Sequence, residues 1–176
     1  MNTIIIYNSK TGFTKKYAMW LKEALDADCH TFEEAKKLKL DKYDAIIFGG
    51  WVCAAKVTKS KWFMDRAPQW KDKCLVMYAV GGSPRENPDI DVFLENLIPK
   101  EFDYIKAFYC QGGFDYDKMD APSRLAMKMF VKMLKSKKEQ TTQDKIMQDM
   151  ISRGYDISDK KYIEPIVEFV RNWDKR

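Results

Sequence analysis

Short apolar runs alternate with amphipathic stretches along this chain. Thr3–Tyr7, Asp44–Phe48 and Cys74–Val80 read TIIIY, DAIIF and CLVMYAV. They are rich in β-branched or bulky apolar side chains and show no polar face, the pattern of strands buried on both sides. Tyr104–Cys110 reads as a further strand and Asp28–Phe32 as a short one. The intervening segments carry helical periodicity. In Phe13–Leu25, Tyr17, Leu21, Ala24 and Leu25 share one face, with Lys15, Lys16, Lys22 and Glu23 elsewhere. Helices are also expected over Ser60–Ala67, Asp89–Leu97, Ala121–Lys138, Gln143–Arg153 and Lys161–Trp173, with a turn or two in Glu33–Leu40. Pro165 falls in the first turn of the last helix, where a missing N–H costs little. Trp51–Lys59 and the stretch GGSPRENPD read as loops. Paired glycines, Gly49–Gly50, Gly81–Gly82 and Gly112–Gly113, are expected to end three of the strands.

Strands that alternate with helices imply an α/β class with a mostly parallel sheet. Right-handed crossovers restrict the topology. Five strands fit a doubly wound sheet of order 2-1-3-4-5 with helices on both faces. In that architecture ligands sit beyond the carboxyl ends of the strands, here the loops that begin at Asn8, Gly49, Gly81 and Gln111. Glycine there lets backbone approach a flat ligand.

The chain has 176 residues, 45% of them hydrophobic, which suits one domain over 1–176. No run approaches the roughly 20 apolar residues that span a bilayer, and the N-terminus reads directly into a strand, so a cytoplasmic protein is expected. Four scattered cysteines without a C-x-x-C, and one histidine, leave no zinc pattern, and no metal site is expected. Cys74 and Cys110 read as core residues. One histidine and dispersed carboxylates also make no persuasive acid–base pair, so no catalytic side chain is assigned. The net charge of +5 is modest, but six basic and no acidic residues fall between Arg124 and Lys138. No nucleic-acid recognition motif accompanies them, and no nucleic-acid partner is expected.

The segment NSKTGFT follows the first strand and opens the first helix. A helix start offers unpaired N–H groups and a positive dipole end. Gly12 lets the turn close, and Ser9, Thr11 and Thr14 can each donate a hydroxyl hydrogen bond, a set suited to a terminal phosphate. Lys10 adds charge. A capping turn without ligand is the plain alternative. Neither a Walker loop nor a G-x-G-x-x-G fingerprint is present.

Ser9, Thr11, Gly12 and Thr14 match the Ser/Thr-x-Thr-Gly-x-Thr phosphate loop of flavodoxins, which the chain resembles over most of its length. The resemblance implies FMN as cofactor, with its ring gripped by GGWVCAAKV and GGSPREN. The implied cofactor set is Ser9, Lys10, Thr11, Gly12, Phe13, Thr14, Gly49, Gly50, Trp51, Val52, Gly81, Gly82, Ser83 and Gly112. Trp51 resembles the flanking aromatic of many flavodoxins. Its indole can stack on a flat ring, or it is simply a half-buried loop aromatic. Cys53 shares that loop and reads as a bystander.

The stretch QGGFDYDKMDAPSRLAMKMFVKML resembles the flavodoxin-type protoporphyrinogen dehydrogenases, which carry an insertion with an aromatic-rich loop and a basic helix; here it falls around 112–142. The resemblance implies an FMN-binding redox protein that transfers electrons, with a redox protein or a small-molecule donor or acceptor as partner. A protoporphyrinogen dehydrogenase-like oxidoreductase is the alternative, and a binding or regulatory module that lost the cofactor is a second. Carrier flavodoxins are typically acidic, whereas this chain is basic and favours an acidic partner or an anionic surface. In the helix after Pro122, Leu125, Met129, Met133 and Leu134 form an apolar stripe widened by Ala126, Phe130 and Val131. Arg124, Lys128, Lys132 and Lys135 lie elsewhere. Core packing with a solvated basic face is expected for it, with docking on an anionic membrane or an acidic partner as the alternative.

Overall fold

The computed structural model describes residues 1–136 and 139–173. Its central sheet holds β1 (Thr3–Tyr7), β2 (Asp28–Thr31), β3 (Ala45–Cys53), a short β4 (Lys56–Val57), β5 (Cys74–Gly81) and β6 (Ile105–Gln111). The order is β2-β1-β3-β5-β6, all parallel, with β4 folded back antiparallel on β3. Counting the five long strands alone, this is the expected 2-1-3-4-5. The register sets Ile5 beside Ile47, and Ile47 beside Val76.

Alternate residues serve opposite layers, as the two-residue period of a strand requires. Ile4, Ile6, Ile46, Phe48, Leu75 and Met77 face one layer with Phe63, Trp70 and Ile90. That side is covered by α2 (Phe32–Ala35), α3 (Ser60–Arg66) and α4 (Asp89–Leu97). Ile5, Ile47, Val76 and Tyr78 face the other layer with Tyr17, Leu21, Ile166 and Val170. There α1 (Phe13–Leu25) packs beside the C-terminal helix. The sheet is thus doubly wound, and Cys74 and Cys110 are buried in it.

Several boundaries differ from the sequence reading. β3 does not stop at Gly49–Gly50. It runs on to Cys53 and turns into β4, so part of the expected loop 51–59 is a hairpin. The glycines allow neighbouring side chains to fill the space of a Cβ: at Gly49 a Cβ would lie 1.9 Å from Tyr78 Cζ, and at Gly50 2.7 Å from Val57 Cγ1. β5 likewise includes Gly81. Gly113 does not end a strand but pairs: β7 (Gly113–Phe114) lies antiparallel to β8 (Tyr155–Asp156). Helix α2 is a single turn held by a Thr31–Glu34 capping box. α5 covers Ala121–Lys135 and α6 covers Thr142–Arg153. Positions 137 and 138 of the expected 121–138 helix lie outside the described residues. The last helix begins as a 3-10 turn over Lys160–Ile163 and continues as α7 (Glu164–Arg171) with Pro165 in its first turn.

The expected core packing of α5 is only half realised. Phe130 and Val131 are half-buried and Leu134 is buried, yet Leu125, Met129 and Met133 stand 61%, 64% and 54% exposed. Both sheet faces are already covered, so α5 packs on α6 instead. One helix neighbour hides one stripe, and the apolar arc of α5 is wider than that. No helix among the described residues is long and apolar enough to cross a membrane.

Candidate functional site

The carboxyl ends of β1, β3, β5 and β6 open on one side of the sheet. The turn from β1 to α1 is fixed to β3 by the Asn8 amide, which donates to the Gly49 carbonyl at 2.8 Å, and to β4's flank by Asn8 Nδ2 on Thr58 Oγ1 at 3.2 Å. Gly12 caps α1 at φ 101°, a left-handed conformation natural to glycine. The Gly12 carbonyl accepts from Lys16 N at 2.9 Å, closing the first helical turn. No side chain caps this helix start. Thr14 is buried, Thr11 half-buried, and the buried Ser9 Oγ has no hydrogen-bond partner among the described residues. An orphaned hydroxyl beside an uncapped helix start is costly unless a ligand completes it.

A cavity of about 240 Å³ adjoins this turn. It brings together Lys10, Thr11, Phe13, Thr14, Trp51, Val52, Gly81 and Gly82 of the residues singled out from sequence. The remainder sit differently. Gly12 lines a neighbouring polar cavity of about 590 Å³. Gly49 and Gly50 are buried within β3, where Tyr78 and Val57 fill the space of their missing Cβ atoms. The Ser83 carbonyl accepts from the Tyr109 hydroxyl at 2.7 Å. Gly112 is buried and its amide donates to the Gly81 carbonyl at 2.7 Å.

Sequence reasoning missed the opposite wall. Phe114 of β7, Met119, and Ser123, Ala126 and Met127 of α5 also line the cavity, together with Cys53. α5 is seated there by Lys10: its ammonium lies 2.7 Å from the Asp120 carboxylate and donates to Ser123 Oγ at 2.7 Å. Asp120 also caps α5, accepting from Ser123 N at 2.9 Å. These bonds, Lys10's first, hold the Asp120 carboxyl well below the usual carboxylate range. Asp120 followed by Pro122 is a helix-start signal that the sequence reading left unused; nothing in the sequence announces the partnership with Lys10. Behind the wall, the Tyr155 hydroxyl donates to the Gly82 carbonyl at 2.5 Å, and burial pushes its pKa up to about 12.

Only Lys10 and Cys53 are titratable among the residues that line the cavity. Its walls therefore offer amides, hydroxyls, one ammonium and apolar or aromatic surface, with no carboxylate or imidazole to move protons. Such a lining suits a flat, anionic-tailed group whose chemistry is its own. Among the described residues no cluster of His, Cys, Asp or Glu is arranged to hold a metal ion.

A doubly wound parallel sheet flanked by helices, with a hydroxyl-lined turn at the mouth of its first helix, defines a flavodoxin-like α/β fold. A family model described as a flavodoxin domain matches residues 4–141, and the chain belongs to that family. Among solved structures, the chain is similar to a WrbA-like flavodoxin protein from Agrobacterium tumefaciens, with 21% identity, a TM-score of 0.44 and coverage of 70% of this chain and 87% of that one. It is also similar to the Trp repressor binding protein from Bacillus subtilis, with 14% identity, a TM-score of 0.45 and coverage of 71% and 94%. A flavoprotein from Bacteroides eggerthii matches at 14% identity and a TM-score of 0.41, covering 77% of this chain and 99% of that one. No protein of curated function matches.

Proposed function

We propose that this chain binds FMN and passes electrons through it. The observation that carries the reading is the orphaned Ser9 hydroxyl in the turn that leads to the uncapped, Gly12-led start of α1, the same turn whose Lys10, Thr11, Phe13 and Thr14 line a cavity walled by Trp51. Ser9, Thr11, Thr14 and the first amides of α1 would hold the phosphate. Trp51 and Val52 on one side, and Met119 and Met127 on the other, would enclose the ring. When bound, the flavin supplies one- and two-electron redox chemistry. The protein's part is to exclude water from the ring with these apolar walls, and to orient it with backbone groups of Gly81 and Gly82. FMN is favoured over FAD because the loop suits a terminal monophosphate and no adenosine motif is present. With a net charge of +5, an acidic redox partner is favoured for docking.

The test is a comparison of two ligands on the apoprotein. Each hydroxyl bond to an anion contributes about 1.5–3 kcal/mol. Ser9→Ala and Thr14→Ala should each weaken FMN by roughly tenfold or more, while riboflavin affinity stays near its starting value. Equal losses for both ligands would assign these residues to the fold. A purified protein without flavin absorbance that also refuses added FMN would favour the cofactor-free module.

A second reading is a protoporphyrinogen dehydrogenase-like oxidoreductase. It is favoured by the segment β7–α5–α6, which walls the cavity and borders a second, apolar hollow of about 270 Å³ between Gly82, Pro84, Ile146 and Met150. Turnover of a porphyrinogen with an added electron acceptor would support it; a flavin-loaded protein that leaves the porphyrinogen untouched would exclude it.

A further inference from the structure

α5 has three faces, not two. Met127, Phe130, Val131 and Leu134 turn inward, towards the cavity or towards α6. Leu125, Met129 and Met133 follow one another at four-residue spacing on the outside and are more than half exposed. Arg124, Lys128, Lys132 and Lys135 occupy the band beside them, all exposed. A solvated helix face normally carries charge of both signs and no Leu–Met ridge. An exposed apolar ridge of this kind marks an interaction site.

We propose that the outer face of α5 docks this protein on an anionic lipid surface. Charge and the apolar ridge together decide between the possible occupants. No described carboxylate pairs with Lys128, Lys132 or Lys135. No acidic residue falls between Arg124 and Lys138. A second copy seated on the same face would set this basic band against its own like, in a chain already at +5. An anionic bilayer answers both features together: acyl chains accept the Leu125–Met129–Met133 ridge, and headgroups meet the lysines and arginine alongside. The flexible thioethers of Met129 and Met133 adapt to such a disordered surface more readily than β-branched side chains would. The geometry suits an interfacial helix, lying flat and not inserted, since α5 is 15 residues long and its inner face is already used by the protein. Ser123, Ala126 and Met127 of the same helix line the candidate site, so docking would bring the mouth of that cavity beside the lipid.

The test is co-sedimentation of the purified, flavin-saturated protein with vesicles of phosphatidylcholine alone, or of phosphatidylcholine mixed with phosphatidylglycerol. Partitioning onto the anionic vesicles should exceed that onto neutral ones by about tenfold or more, and should fall steeply when salt shortens the screening length to a few ångströms. Lys128→Glu with Lys132→Glu, and separately Leu125→Ser with Met129→Ser, should each remove most of the binding. Both keep circular dichroism and flavin content unchanged, because these four side chains lie outside the cavity. Failure to bind either vesicle, equal binding to both, or full binding by either double variant would overturn the proposal. So would a wild-type dimer in sedimentation velocity that Leu125→Ser with Met129→Ser dissociates, because the face would then belong to a second copy.

Discussion

The two walls of the candidate site are held in place by different physics. The β1–α1 turn rests on strands in which Ile4–Ile6, Ala45–Phe48 and Cys74–Ala79 are fully buried, and it is tied to β3 through the Asn8–Gly49 hydrogen bond. The α5 wall rests on a half-buried seam and on one ammonium. Both partners of the Lys10–Asp120 pair are more than a third exposed, at 37% and 50%. Exposed ion pairs contribute little to global stability. Regions with few buried contacts open locally, well before the whole fold does. One wall should therefore move only with global unfolding, and the other should open alone.

The largest expected effect breaks the rigid side. In Gly49→Ala the new methyl would sit 1.9 Å from Tyr78 Cζ. Tyr78 has no room to yield: it is fully buried and its hydroxyl donates to the Thr14 carbonyl at 3.3 Å. Overpacking costs about 1–3 kcal/mol, and a central strand with an immobile neighbour belongs at or above the top of that range. Gly12→Ala is the contrast. Its methyl meets nothing within 4 Å, and the penalty comes only from φ +101°, about 1–2 kcal/mol. Urea denaturation of both variants should rank Gly49→Ala as the more damaging. The reverse order would mean that the sheet end is softer than its packing implies.

The sequence made the rigid wall legible because its parts are local. Ser9 to Thr14 span one turn between a buried strand and an amphipathic helix, and each contributes a known preference at a known offset. The five long strands followed from the same local patterns, and the flavodoxin family from the resemblance that Ser9, Thr11, Gly12 and Thr14 carry. The glycine pairs were found, but their role was only partly legible: Gly49 and Gly50 make room for Tyr78 and Val57, and that depends on which strands become neighbours. The α5 wall was hidden for the same reason. Lys10 and Ser123 meet across 113 residues, and the two-residue strands β7 and β8 are too short to show a period. The apolar arc of α5 was visible in sequence. Which part of it faced the protein depended on the sheet's two faces being taken already.

A smaller effect sharpens the comparison at the hairpin that carries Trp51. The turn between β3 and β4 places Ala54 at φ 48° and Ala55 at φ 58°. Two-residue hairpins with both central residues left-handed favour Asn-Gly, and an alanine there costs about 1–2 kcal/mol. Ala54→Asn with Ala55→Gly should stabilise the protein by on the order of 1 kcal/mol and raise the melting temperature by about 2–4 °C. Because β3 runs into the sheet core, the gain should appear in global unfolding. An unchanged melting temperature would show that the hairpin opens independently, and so belongs with α5 and not with the sheet.

The smallest effect is local to α5, and two substitutions at Asp120 separate its two roles. Asp120→Asn would still cap the helix by accepting from Ser123 N, since Asn and Asp are comparable caps, but would lose the charge facing Lys10. Asp120→Ala loses both. Amide exchange in α5 should therefore rank wild type as best protected, then Asp120→Asn, then Asp120→Ala, while exchange in β1, β3 and β5 stays unchanged in all three. The pH dependence has a definite sign. Folding lowers the Asp120 pKa below its unfolded value, so its contribution is complete above the ordinary carboxylate range near pH ~4 and is lost as pH falls through the folded value. Protection of α5, corrected for intrinsic exchange rates, should be flat around neutrality and decline only in strong acid. Lys10→Met should reduce the protection at neutral pH and flatten much of that decline, because the ammonium is the first cause of the depressed pKa. If Lys10→Met leaves α5 as protected as before, the apolar seam against α6 holds the helix by itself, and the two walls differ less than their contacts imply.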